Sequence, residues 1–280
     1  MNILKATALS LALTLSGFAF AGETIDKLKL TGTLNIVARE TSVPYSYTDV
    51  QGRYVGYSQD VAMEFKRYLD RKYSLDLSVS KVGVNGQTRQ PLVVNKVIDL
   101  EAGSTSYTEE RAKVVNFMIV DADPVVPAVL ADNTSIKSLE DFKGKTVVVV
   151  AGTTAATIFK KLNAEKGWGT TLVLAKDYPQ GYLLVEQGRA VGLVTNSVLL
   201  AGEIAKLKTN KFKVLNNVVV GEAELIGIMY GKQDAEFTAD FKEFETKVKS
   251  DGTLEKLYTK WFAPLGLKWT AEQRKAVMGK

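Results

Sequence analysis

Apolar positions along this chain fall into short blocks that switch between two periods. Tyr57–Tyr73 carries Val61, Met63, Phe65, Tyr68 and Leu69 at helical spacing, which predicts a helix with Ser58 as its N-cap. Leu34–Ala38 reads as a strand, after a short helix over Ile25–Leu30 that Thr31-Gly32 ends. The pattern continues with strand Leu75–Val79, a short helix Thr88–Asn95 with Pro91 in its first turn, strand Val97–Leu100 and helix Thr108–Val115. Pro124 and Pro127 interrupt an apolar run at Val120–Pro127 and predict a crossing strand there rather than a helix.

A second series follows. Helix Ser138–Phe142, strand Val147–Val150, a helix from Thr154 to Asn163, strand Thr171–Leu174, helix Gly181–Gln187, strand Val191–Thr195 and helix Ser197–Lys206 are predicted in turn. Strands Lys213–Val220 and Leu225–Met229 precede the terminal helices Phe237–Lys249 and Leu254–Phe262. Alternating β and α elements define an α/β protein with mainly parallel sheets. The second series sits inside the chain, so the terminal helices are free to return to the first. This predicts two lobes, one from residues 22–120 and 231–280 and one from 125–221, joined by hinge segments near 120–126 and 221–231. Ligands of such sheets sit beyond the carboxyl ends of the strands.

Two segments with nearly the same chemistry fall at strand ends, Ala102-Gly103-Ser104-Thr105-Ser106 and Ala151-Gly152-Thr153-Thr154. Read as turns leading into helices, each presents bare N–H groups and hydroxyls to one point, a seat for a carboxylate or phosphate. The same residues also suit plain helix capping.

Composition narrows the chemistry. The 280 residues contain no histidine and no cysteine. Zinc sites built on those residues, Cys–His or Ser–His–Asp catalysis and disulfides are excluded. No cofactor or metal is expected, and neither is a lipid-modified cysteine. The net charge of +5 is mild and interspersed, which does not point to nucleic acid but suits an anionic ligand. Lys5, the apolar stretch Ala6–Phe20 and Ala19-Phe20-Ala21 read as an export signal, residues 1–21, cleaved near Ala21.

Several stretches, in this order, carry a resemblance: Arg39–Tyr47, Val55–Asp60, Arg89-Gln90-Pro91-Leu92, Ala102–Thr105, Lys143-Gly144-Lys145, Gly152-Thr153-Thr154, Ala175-Lys176-Asp177, Gly188–Val191, Leu199–Glu203 and Asp251–Leu257. Through most of its length after the export signal the chain resembles the periplasmic solute-binding proteins of ABC transporters for polar amino acids, above all the glutamate/aspartate binders. The resemblance implies a two-lobed type II binding protein in the periplasm, monomeric, capturing a small carboxylate by lobe closure and delivering it to an inner-membrane permease, without catalysis. It assigns Arg89 to the ligand's α-carboxylate and Arg39 to its side-chain carboxylate, with Ser104 and Thr105 donating from the first lobe and Thr153 and Thr154 from the second. For Arg39 an exposed salt bridge is the competing reading.

Departures from the family pattern bear on the ligand. Asn196 stands where the family holds the ammonium group with an aspartate, and Tyr178 where acidic-ligand members carry histidine. Asp121 or Asp123 is a candidate replacement counter-charge, the alternative being a solvent-facing hinge acid. Tyr45, Tyr47, Tyr54 and Tyr57 suit either a pocket wall or the core. A binder of a dicarboxylate without an amine is therefore the second expectation. The third is an exported dehydratase-like enzyme on the same fold, with Glu101, Asp123 or Glu186 as its acid. A sensory domain acting through a separate receptor is the fourth.

Overall fold

The structure is a computed structural model that describes residues 23–232 and 234–279. The predicted export signal lies outside the described residues. Two five-stranded sheets form the cores of two lobes. The first has the order Ser78–Val84, Thr33–Arg39, Leu100–Ser106, Glu224–Gly231, Val115–Asp123. The second has the order Thr171–Ala175, Thr146–Val150, Leu193–Asn196, Val125–Leu130, Phe212–Val214. Each sheet is parallel apart from one strand, Glu224–Gly231 in the first and Val125–Leu130 in the second. Each odd strand is the one that has just arrived from the other sheet. A chain that enters from across the cleft necessarily runs against strands that end at the cleft.

The first crossing is nearly straight. Val115–Asp123 continues through Pro124 into Val125–Leu130, and Val120 to Asp123, Val125 and Val126 are all buried. The helix Tyr57–Tyr73 buries Val61, Ala62, Phe65, Tyr68 and Leu69 along one stripe. Phe65 packs against Phe237, Phe241 and Phe244 of the helix Ala235–Ser250. Tyr57 meets Tyr258 and Phe262 of the helix Thr253–Phe262 edge to face. The chain's end thus closes the core that its beginning opened.

Local corrections have identifiable causes. Gly56, with φ 133°, is the N-cap of the helix Tyr57–Tyr73. Ser58 lies inside its first turn and donates to the Gly103 carbonyl at 2.6 Å. The helix expected over Thr108–Val115 is the single turn Glu109–Ala112, because Val115 begins a buried strand. The strand expected over Lys213–Val220 is reduced to Phe212–Val214. The helix Tyr178–Glu186 starts before its predicted position, capped by Asp177 and accepting Pro179 in its first turn, where no N–H is required.

The largest revision concerns Ala102–Ser106, which is buried strand and not a turn. Gly103 is there for close approach. A Cβ on it would lie 2.0 Å from Glu101 Oε1 and 2.8 Å from Arg39 Cγ. The neighbouring strand pairs with this one only through Ala102. Beyond that register the segment Gly103–Ser106 runs on toward the cleft with one edge uncovered by that neighbour.

Candidate functional site

Three arginines of the first lobe converge on the cleft. Arg39 ends the strand Thr33–Arg39 and is 2% exposed. Arg89 begins the helix Arg89–Val94 and is 3% exposed. Arg111 sits in the turn Glu109–Ala112, where Thr108 Oγ1 accepts its backbone N–H at 3.1 Å and fixes its position. Arg89 Nη2 and Arg111 Nη2 both donate to the Gly152 carbonyl of the second lobe, at 3.5 and 3.3 Å. Arg111 Nη1 donates to the Ser106 carbonyl at 2.7 Å. Among the described residues no carboxylate oxygen lies within the 4.0 Å of an ion pair from any of the three. The surface salt bridge considered for Arg39 is therefore not formed among the described residues, and its side chain is buried.

Burying unpaired guanidinium groups is unfavourable. Burial, with Arg39 adding its repulsion, pushes Arg89 down to about 9, so it remains charged at neutral pH. Burial also lowers Arg111, opposed by the charges of Glu224 and Glu101. Glu101 is fully buried below this group, and burial raises it against the pull of Arg89, Arg39 and Arg111. Arg89 Nη1, Glu101 Oε1 and Ser104 Oγ are buried without a hydrogen-bond partner. Such atoms are rare in folded proteins unless a ligand or water completes them.

The predicted hydroxyl donors divide. Ser104 stands free, whereas Thr105 Oγ1 is committed to Glu101 Oε2 at 2.8 Å. Thr153 acts as a cap, accepting the Ala156 N–H and donating to the Val150 carbonyl. Thr154 Oγ1 reaches across the cleft to Ser106 Oγ at 3.0 Å. Tyr178 is buried at the start of its helix, within electrostatic reach of Arg89. Asn196 Nδ2 donates to the Asp123 carbonyl at 3.2 Å and to Glu224 Oε2 at 3.0 Å.

Neither hinge acid faces solvent. Asp121 accepts from Tyr45, Trp269 and the Ala122 N–H. Asp123 accepts from Ser197 Oγ and the Val198 N–H, capping the helix Ser197–Leu207 in place of Asn196. Both are fully buried. Tyr45 and Tyr57 are core residues packed on Phe262. Tyr47 lies edge to face with Trp261, and Tyr54 donates to Glu40.

Sequence reasoning missed Arg111 and Glu224. Thr108-Glu109-Glu110-Arg111, a capping residue three before an arginine at the end of a hydroxyl-rich strand, was the available signal for the first. A lone acid at the start of a crossing strand is too weak a signal for the second.

Two lobes of this topology, joined by crossing strands around a polar cleft, are the fold of the type II periplasmic binding proteins. Residues 34–264 match the bacterial extracellular solute-binding proteins, family 3, and the chain belongs to that family. It is 36% identical over 245 residues to an L-glutamate/L-aspartate-binding protein of Pseudomonas aeruginosa, covering 85% of this chain and 80% of the relative. It is 36% identical over 276 residues to a glutamate/aspartate import solute-binding protein of Salmonella typhimurium, covering 94% and 89%. Among solved structures, a mutant of ArgBP from T. maritima superposes with a TM-score of 0.75 at 27% identity, covering 85% of this chain and 99% of that one.

Proposed function

We propose that this chain is the periplasmic binding component of an ABC importer for a small acidic amino acid, glutamate or aspartate. One observation carries the ligand class: three cleft arginines, two of them buried, have no carboxylate within ion-pair distance among the described residues. A ligand with two carboxylates supplies what they lack. In this reading Arg89 and Arg111, with Ser104, grip one carboxylate and Arg39 the other. Thr154 contributes from the second lobe, while Thr105 and Thr153 shape the site through Glu101 and the helix cap. Tyr178 and Asn196 line the second lobe's side.

The names of the relatives, an L-glutamate/L-aspartate-binding protein and a glutamate/aspartate import solute-binding protein, support the same ligand and an import role; delivery to an inner-membrane permease is part of the proposal. Export with removal of residues 1–21 and action as a monomer belong to this proposal. So does hinge bending at Pro124 and near Gly221–Ala223, between a second lobe of 125–221 and a first lobe of 22–123 with 224–280, whose sheet includes Val115–Asp123 and Glu224–Gly231, segments expected in part as hinge. Binding without catalysis belongs to the proposal as well: of the three candidate acids, Asp123 is committed to a helix cap and Glu186 to Lys211 at the surface.

Titration calorimetry with glutamate tests the reading. Arg89→Ala is expected to weaken binding by about 3 kcal/mol, on the order of 100-fold, with the melting temperature of the ligand-free protein retained. Glutamate should be recovered unchanged. Unaltered affinity in a folded variant would overturn the assignment.

A further inference from the structure

We propose that Glu224 supplies the negative charge that holds the ligand's ammonium group, with Asn196 as its positioning residue. The proposal rests on the acidic-amino-acid reading and sharpens it.

Glu224 opens the return strand Glu224–Gly231, where the chain comes back from the second lobe. Its Oε2 accepts from Ser106 Oγ of the first lobe at 2.9 Å and from Asn196 Nδ2 of the second at 3.0 Å. Thr154 Oγ1 joins the same group through Ser106 at 3.0 Å. One carboxylate oxygen is thereby held from both lobes at the margin of the arginine cluster. The other, Oε1, makes no hydrogen bond or ion pair among the described residues, and the side chain is only half-buried. Glu224 pairs with Asp123 of the first crossing strand, and Ser106, which donates to it, accepts from Arg111 through its carbonyl, so Glu224 stands between the carboxylate grip and the hinge.

The neighbouring acids are otherwise occupied. Both oxygens of Asp123 serve the helix Ser197–Leu207, and both oxygens of Asp121 are taken by Tyr45, Trp269 and Ala122. Glu101 lies under the arginines, whose charges oppose its own. An ammonium group donates three hydrogen bonds and prefers an ionised acceptor, to which bonds are roughly twice as strong as to neutral ones. Asn196 has the opposite aptitude: its amide N–H donates to Glu224 and orients it. Three arginines outnumber the two acids that act on them, Glu101 and Glu224, which suits a ligand whose carboxylates outnumber its ammonium group. A dicarboxylate lacking the amine would leave Glu224 facing an anion.

The test compares glutamate with glutarate, which differ by the ammonium group alone, by calorimetry on the full exported chain. The wild type is expected to favour glutamate. Glu224→Gln should weaken glutamate roughly 10- to 100-fold and leave glutarate within about threefold or tighter. Glu224→Asp, which keeps the charge and withdraws it by one methylene, should retain part of the discrimination. That result excludes a merely structural loss. Equal loss of both ligands in Glu224→Gln, or an unmoved ratio, overturns the role of Glu224 while leaving the carboxylate reading in place. A wild type that binds neither ligand overturns both.

Discussion

At the residue scale, the sequence singles out Asp121 and Asp123 and misplaces them. Acids in a proline-broken strand suggest a solvated hinge, but the packed C-terminal segment and the helix at Ser197 bury both. That burial has a measurable consequence. Desolvation raises Asp121 from 3.8 to about 6, against the lowering effect of its bonds from Tyr45, Trp269 and Ala122. It raises Asp123 in the same direction. Above the folded value, the native state holds a charge that water would solvate better. Below the unfolded value, both states are protonated and the penalty vanishes. Stability from Asp121 therefore increases as pH falls from about 6 to about 4, by on the order of 3 kcal/mol. Asp121→Asn should flatten that part of the profile. Urea unfolding of both proteins at pH 4.5 and 7.5 checks it: wild type should gain on the variant toward acid, and the opposite trend would refute the assignment. Arg39 and Arg89 were legible because their neighbours in the chain follow a recognisable order. Arg111 was not, because a single helical turn leaves no periodicity to read.

At the element scale, two glycine-hydroxyl segments that look alike in sequence adopt different structures. Glycine serves two physical needs, and the letters alone do not distinguish them. Gly103 gives Glu101 and Arg39 room inside a strand. Gly152 takes φ +74° ahead of the Thr153 cap, and a Cβ on it would stand 2.6 Å from the Gly86 carbonyl carbon across the cleft. The long amphipathic and apolar blocks were readable because their burial is one-sided or complete over many residues. The stripe of the helix Tyr57–Tyr73 marks its extent, although its N-cap is Gly56 and not the expected Ser58. The short meander Thr41–Ser42, Ser46–Thr48, Tyr54–Val55 has too few positions to show a period. The Gly152→Ala variant separates backbone strain from contact across the cleft. The left-handed backbone should destabilise the ligand-free protein by about 1 kcal/mol. The clash with Gly86 arises only where the lobes meet, so glutamate affinity should fall further, by at least about tenfold. Calorimetry beside thermal melting checks this, and an affinity that tracks the small stability loss would show that the close approach is dispensable.

At the scale of the whole molecule, the two-lobe plan was legible because a second α/β series interrupts the first. The structure adds a third element to the junction that the apolar pattern did not reveal. The helix Ala271–Met278 and the segment before it lie beyond the family match, which ends at residue 264, and they dock on the crossing strand. Trp269 stacks on Tyr258 with centroids 4.1 Å apart and donates its indole N–H to Asp121 at 2.7 Å. Gln273 Nε2 donates to the Ala122 carbonyl at 2.6 Å, and Arg274 pairs with Glu255. The helix itself is held at its start by a Thr270–Gln273 capping box. Few of its residues are buried, so its contribution lies in these polar bonds to a buried strand rather than in apolar area. Ending the chain after Gly266 would remove one of the three donors to the Asp121 carboxylate and open that buried group to water. Bonds to a buried charge contribute about 1.5–3 kcal/mol. With the stacking of Trp269 lost as well, the melting temperature should drop by roughly 5–10 °C. Trp269→Phe keeps most of the ring contact and deletes the N–H, so it should account for about half of that drop. If the truncated protein melts at the wild-type temperature, the C-terminal segment is not a brace on the crossing strand, and the junction depends on the two chain crossings alone.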